Sequence, residues 1–77
     1  MTPKQEFLAE CIVNDLVLWL VQEQNLSMED AYALVCNSQT FEKLQTPATG
    51  LYAESSAYNY ELLSAEMKNG FFVQEDF

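Results

Sequence analysis

The chain contains no histidine and no arginine, and glycine, proline and cysteine occur only twice each. Each shortage excludes a class of chemistry. Without histidine there is no imidazole to act as a base at neutral pH or to bind a metal. Two glycines do not build a phosphate-cradling loop. Cys11 and Cys36 stand far apart, with no CxxC pair and no histidine nearby, so they form neither a zinc knuckle nor a redox motif. On apolar segments they read as small buried hydrophobes in a reducing compartment, with a single disulfide left open. No cysteine or serine has an evident activator. The expectation is a non-enzyme with no cofactor and no metal.

Positive charge is equally scarce. Lys4, Lys43 and Lys68 face twelve acidic residues, for a formal charge of -9. Three scattered lysines build no basic patch, which argues against direct nucleic-acid binding. The same charge opposes docking on an anionic membrane and favours a basic partner protein. The longest apolar run, Leu16 to Val21, is far short of a bilayer span and follows Asn14-Asp15. The opening Met-Thr-Pro-Lys-Gln-Glu lacks the basic-then-apolar layout of a secretion signal, so a cytoplasmic location is expected. At 77 residues, one domain spanning 1–77 is expected. A chain of this size buries only about 60% of its unfolded surface, so association would add to a thin margin of stability.

What is present is helical punctuation. Thr2-Pro3-Lys4-Gln5 is a helix start with a capping box, and the first helix is expected to run to about Gln24. Leu8, Ala9, Ile12, Leu16, Trp19 and Leu20 share one face of it, the spacing of a core-facing stripe. Ser27 caps a second helix, with Glu29 and Asp30 in its first turn, Leu26 as a staple onto Ala31, and Met28, Ala31, Tyr32 and Val35 as its apolar residues. Ser38 caps a third that must stop before Pro47. Thr46 to Gly50 reads as a loop. Ser55 or Ser56 caps a fourth helix ending at Lys68-Asn69-Gly70, and the apolar Phe71-Phe72-Val73 after that glycine is expected to fold back as a short ordered tail. Together these predict an all-α bundle of three to four helices.

Two helices carry more apolar surface than one core requires. On the first, Phe7, Cys11, Asn14, Leu18 and Val21 follow the 4-3-4-3 rhythm of a helix-pairing seam, with Asn14 as a register-setting polar residue. The alternative is a central helix wrapped on all sides by the others. On the fourth, Tyr58, Leu62 and Ala65 lie on one side and Tyr60, Leu63 and Met67 nearly opposite. One side faces the core, and the other needs either a cover from its own chain (the tail or Leu51-Tyr52) or a partner. The candidate interaction residues are therefore Phe7, Cys11, Asn14, Leu18, Val21, Tyr60, Leu63 and Met67. Asp15 reads as a solvated edge residue or an acceptor for a tyrosine hydroxyl, and Glu29-Asp30, Glu61 with Glu66, and Glu75-Asp76 read as helix-start or solvated carboxylates, since no calcium-loop spacing occurs.

The segments N-S-x-T-F-x-K-L, from Asn37, and T-G-L-Y-x-E-S-x-x-Y-x-Y-x-L-L, from Thr49, together with the amphipathic first helix, resemble a family of small acidic bacterial proteins of unknown function. The resemblance spans about residues 7–67. It implies an accessory role in a toxin–antitoxin locus and assigns no functional residue. The expectation is thus an acidic protein–protein interaction module, an adaptor or antitoxin-like neutraliser, pairing with itself as a homodimer or with a basic protein. The alternative is an acidic nucleic-acid mimic or regulator acting on a basic DNA-binding protein.

Overall fold

The computed structural model describes residues 1–68, and every α-helix in it begins at a side-chain cap. Helix α1 is Pro3–Gln24, about 33 Å long at 1.5 Å per residue. Thr2 Oγ accepts the Gln5 N–H at 3.1 Å while Gln5 Oε1 accepts the Thr2 N–H at 2.9 Å, the reciprocal capping box. The helix stops at Asn25, whose φ of 57° is left-handed, a conformation asparagine tolerates better than most residues. Helix α2, Met28–Cys36, starts where Ser27 Oγ accepts the Asp30 N–H at 3.0 Å.

Ser38 serves two helices at once. Its hydroxyl donates to the Val35 carbonyl at 2.6 Å, closing α2, and accepts the Phe41 N–H at 3.0 Å, opening α3 at Gln39–Leu44. This double use is why the junction needs only two residues and why Ser38 is buried. The expected Thr46 to Gly50 loop contains one 3₁₀ turn, Pro47–Thr49, and a second, Leu51–Ala53, follows Gly50 at φ 72°. The Thr49 hydroxyl lies 2.6 Å from the Lys43 carbonyl, which ties the first turn to α3. Helix α4, Ser56–Lys68, begins where Ser55 Oγ accepts the Tyr58 N–H at 3.0 Å. The expected Gly70 stop and the Phe71 to Phe77 tail lie outside the described residues.

The helices form an all-α bundle with no strand among the described residues. Its radius of gyration, 12.2 Å, is near the about 11.5 Å of a folded domain this long. The three-residue connection Asn25–Ser27 returns α2 along one flank of α1. Helix α4 takes the other flank, with Ser56 at Asp15 and Tyr60 at Glu23, so it runs in the direction of α1. The second 3₁₀ turn sits by the first turn of α1, where Gln5 Nε2 donates to Tyr52 Oη at 3.0 Å.

The core is built on α1, from Ala9, Ile12, Val13, Leu16, Val17 and Leu20. Ala31, Val35, Leu44, Leu51 and Leu63 close it from the other elements. The buried arc is turned toward α2 relative to the expected stripe. Val13 and Val17 are inside, while Leu8 and Trp19 are only half-buried. On α2 only Ala31 and Val35 enter the core, and Met28 and Tyr32, expected with them, stay outside.

Candidate functional site

With α2 on the Val17 side of α1 and α4 on the Asp15 side, nothing among the described residues wraps the third side of the long helix. The wrapped-helix alternative therefore fails. Phe7, Cys11, Asn14 and Leu18 are all exposed, Phe7 at 63% and Leu18 at 47%. Val21 is the member of the seam that departs, since it packs against the core. Its position on the helix leans toward α2, which draws it in.

The exposed stripe continues onto α2, which the sequence reading did not include. Met28 and Tyr32, one turn apart, are 56% and 55% exposed. Together with Asn14, Val17, Leu18 and Glu29 they wall a groove of about 600 Å³ between α1 and α2. A second cavity, about 340 Å³, adjoins it between α1, α2 and α3. Its walls are Glu10, Val13, Asn14, Tyr32, Phe41 and Gln45, so Asn14 and Tyr32 form the divide between the two. The first is lined chiefly by carbon. The second sets a carboxylate, two amides and a phenol around two aromatic rings.

Tyr32 also titrates above the ordinary tyrosine value. Hydrogen bonding with the Cys36 thiol one turn on is the main cause, followed by repulsion from a Cys36 thiolate, burial and the Glu10 carboxylate. At physiological pH the phenol is neutral, as an ordinary tyrosine is. Both cysteines are free, Cys11 exposed and Cys36 half-buried.

Helix α4 requires a correction. Tyr60, Leu63 and Met67 do not form an outward face, because their side is the one α4 turns to the core. Leu63 is fully buried, and Tyr60 and Met67 pack against it and its neighbours. Tyr60 meets Trp19 edge to face, with ring centroids 5.4 Å apart and planes at 82°, and its hydroxyl donates to Glu23 at 3.1 Å. Burial and then Glu23 raise its pKa. Leu62 packs on the core as well, which leaves Tyr58, 45% exposed, as the outward aromatic. The Tyr60, Leu63 and Met67 side of the helix is therefore covered by its own chain.

The residue that orients α4 is Asn59. It is fully buried, and its Nδ2 donates to the Ser55 carbonyl at 3.0 Å and the Leu51 carbonyl at 3.3 Å. This pins the first turn of α4 to the second 3₁₀ turn. Its Oδ1 has no hydrogen-bond partner. No sequence signal marked it, because its second partner belongs to a different element.

Two carboxylates, Asp15 and Glu66, are structural acceptors. Asp15 Oδ2 accepts the Ser56 hydroxyl at 2.6 Å. Glu66 accepts three hydrogen bonds from the first turn of α3: the N–H of Gln39 at 2.7 Å, and the N–H and hydroxyl of Thr40 at 3.0 and 2.8 Å. Among the described residues no group of three or more Cys, Asp or Glu side chains is placed to hold a metal ion. None of the described helices is long and apolar enough to cross a membrane. Comparison with family models, curated proteins and solved structures returned no match.

Proposed function

We propose that this chain is a small protein–protein interaction module, an adaptor or neutraliser, that binds through the outer stripe of α1 and the adjoining turns of α2. One observation carries the reading. Leu18, Met28 and Tyr32 line one groove and are each about half exposed, and Phe7 is exposed on the same outer stripe of α1, although α1 already has a filled core on its other side. Apolar side chains gathered at a surface lose stabilisation that only an occupant restores. The Tyr60, Leu63 and Met67 side of α4 takes no part, since Leu63 is inside.

The role proposed is binding rather than catalysis, and the free, exposed Cys11 thiol suits a reducing cytoplasm. A second copy of the chain and a basic protein are the two partners this surface suits. The phosphate-mimic alternative gains nothing from Asp15, Glu23 and Glu66, each of which accepts a hydrogen bond from its own chain.

The test compares wild type with Leu18→Glu, first shown by circular dichroism to be folded. Light scattering at two concentrations measures self-association, and proteins retained from cell extract on each immobilised chain are quantified side by side. The reading expects either a dimer that Leu18→Glu dissociates or a protein retained by wild type alone. Identical mass and identical retained proteins would overturn it.

A further inference from the structure

We propose that the α1–α2 groove takes a basic amphipathic helix from another protein. An apolar side chain of that helix seats between Leu18 and Met28, and an arginine one turn away enters the second cavity beside Glu10. The inference rests on the interaction-module reading and specifies the partner's chemistry.

Charge selects against a second copy. The charged residue on the wall of the first cavity is Glu29, and on the second it is Glu10. Among the described residues neither wall carries a lysine. Self-association would bring these carboxylates toward each other on chains that each carry a formal charge of -9. A cationic partner meets attraction at both ends of the groove, and the acidic surface steers its approach.

The chemistry of the second cavity points to arginine. Glu10 offers a carboxylate, Asn14 and Gln45 offer amide oxygens, and the rings of Phe41 and Tyr32 offer apolar faces. A planar guanidinium uses all three, by donating in its plane and stacking over a ring, whereas an ammonium donates from a point. Tyr32, on the divide between the two cavities, offers a neutral phenol and an apolar ring face.

Geometry points to a helix. Helix α1 lines the first cavity with Leu18, Val17 and Asn14 and the second with Asn14, Val13 and Glu10, each four positions earlier, so the two cavities are offset by about one turn, about 6 Å, like residues i and i+4 of a helix lying alongside. The walls come from helices whose backbone groups are bonded internally, so they present no strand edge to an extended peptide.

The experiment uses the full chain, labelled with ¹⁵N, and three synthetic helical peptides of about four turns. One carries Leu at i and Arg at i+4 with further lysines on its flanks. The second replaces every basic residue by Glu, and the third by Gln. The Arg peptide is expected to bind with chemical-shift changes at Leu18, Met28, Tyr32 and Glu10, at least about tenfold more tightly than the Glu peptide. Glu10→Gln should weaken the Arg peptide about two- to fivefold and leave the Gln peptide unchanged, and added salt should act in the same direction.

Equal affinity for all three peptides in the groove would overturn the basic partner while leaving an interaction surface. Shift changes elsewhere on the chain would overturn the site. If Phe71→Ser with Phe72→Ser raised peptide affinity about tenfold or more, the chain's own tail would be the occupant and the proposal would fall. Absence of peptide binding, with no effect of Leu18→Glu on mass or retained proteins, would remove both readings.

Discussion

Removing the Glu66 carboxylate tests whether α3 is held by its own sequence or by α4. Helix α3 has six residues, too few to persist alone. Ser38 takes the Phe41 N–H, and Glu66, reaching from α4, takes those of Gln39 and Thr40 with the Thr40 hydroxyl. A negative charge at this helix start is also favourable. Each bond to a charged acceptor is worth about 1.5–3 kcal/mol. In Glu66→Ala the exposed Gln39 N–H can turn to water, but Thr40, 3% exposed, loses both partners where water has little access. The net cost is therefore about 2–4 kcal/mol rather than the sum of three bonds. Against a total of about 4–12 kcal/mol for a domain this long, that is a large share. Glu66→Gln keeps one acceptor oxygen and should cost about half as much. Urea unfolding followed at 222 nm gives both values, and amide exchange at Gln39, Thr40 and Phe41 should accelerate in Glu66→Ala. A Glu66→Ala protein within about 0.5 kcal/mol of wild type, the scatter of ordinary surface changes, would refute the tertiary cap.

Asn59→Asp should be strongly pH-dependent. It sets a fully buried carboxylate against the Ser55 and Leu51 carbonyls, which raises its folded pKa above the about 3.9 of the unfolded chain. A shift of about three units costs about 4 kcal/mol at pH 7, and this part of the loss disappears below about pH 4, where both states are protonated. Equal destabilisation at pH 4 and pH 7, each relative to wild type, would contradict it. Leu63→Ala should cost about 3–5 kcal/mol in the same urea assay, while Leu18→Ala, at a 47% exposed position, should cost about 1 kcal/mol or less. In an alkaline absorbance titration Tyr60 should ionise above the ordinary tyrosine value, because its surroundings favour the neutral phenol. Its contribution to stability is complete below about pH 10 and is lost as pH rises through the folded pKa. A Tyr60→Phe protein with an unchanged titration curve would refute the assignment.

Much of the fold was legible because its punctuation is local. Thr2, Ser27, Ser38 and Ser55 each accept an N–H three positions on, and a reader of the chain needs no other element to find them. The outer stripe of α1 was legible for a similar reason, since a helix spaces Phe7, Cys11, Asn14 and Leu18 along one side wherever it is placed. Composition likewise determined the charge and the absence of histidine chemistry.

Which apolar side turns inward was decided elsewhere. Helix α4 has apolar residues on two sides and only a weak bias between them. Asn59 settled the choice by bonding to Leu51, and Glu66 by reaching α3, 26 and 27 positions back along the chain. These partners meet only after the chain has folded, so no periodicity announces them. The groove has the same origin. Leu18 lies on α1 and Met28 and Tyr32 on α2, and each is an ordinary exposed apolar residue until the return of α2 sets them side by side. The sequence by itself determined the helices, their caps and the acidic surface, through interactions a few residues long. Tertiary structure alone decided which faces were buried and which were left open, because burial depends on what lies opposite.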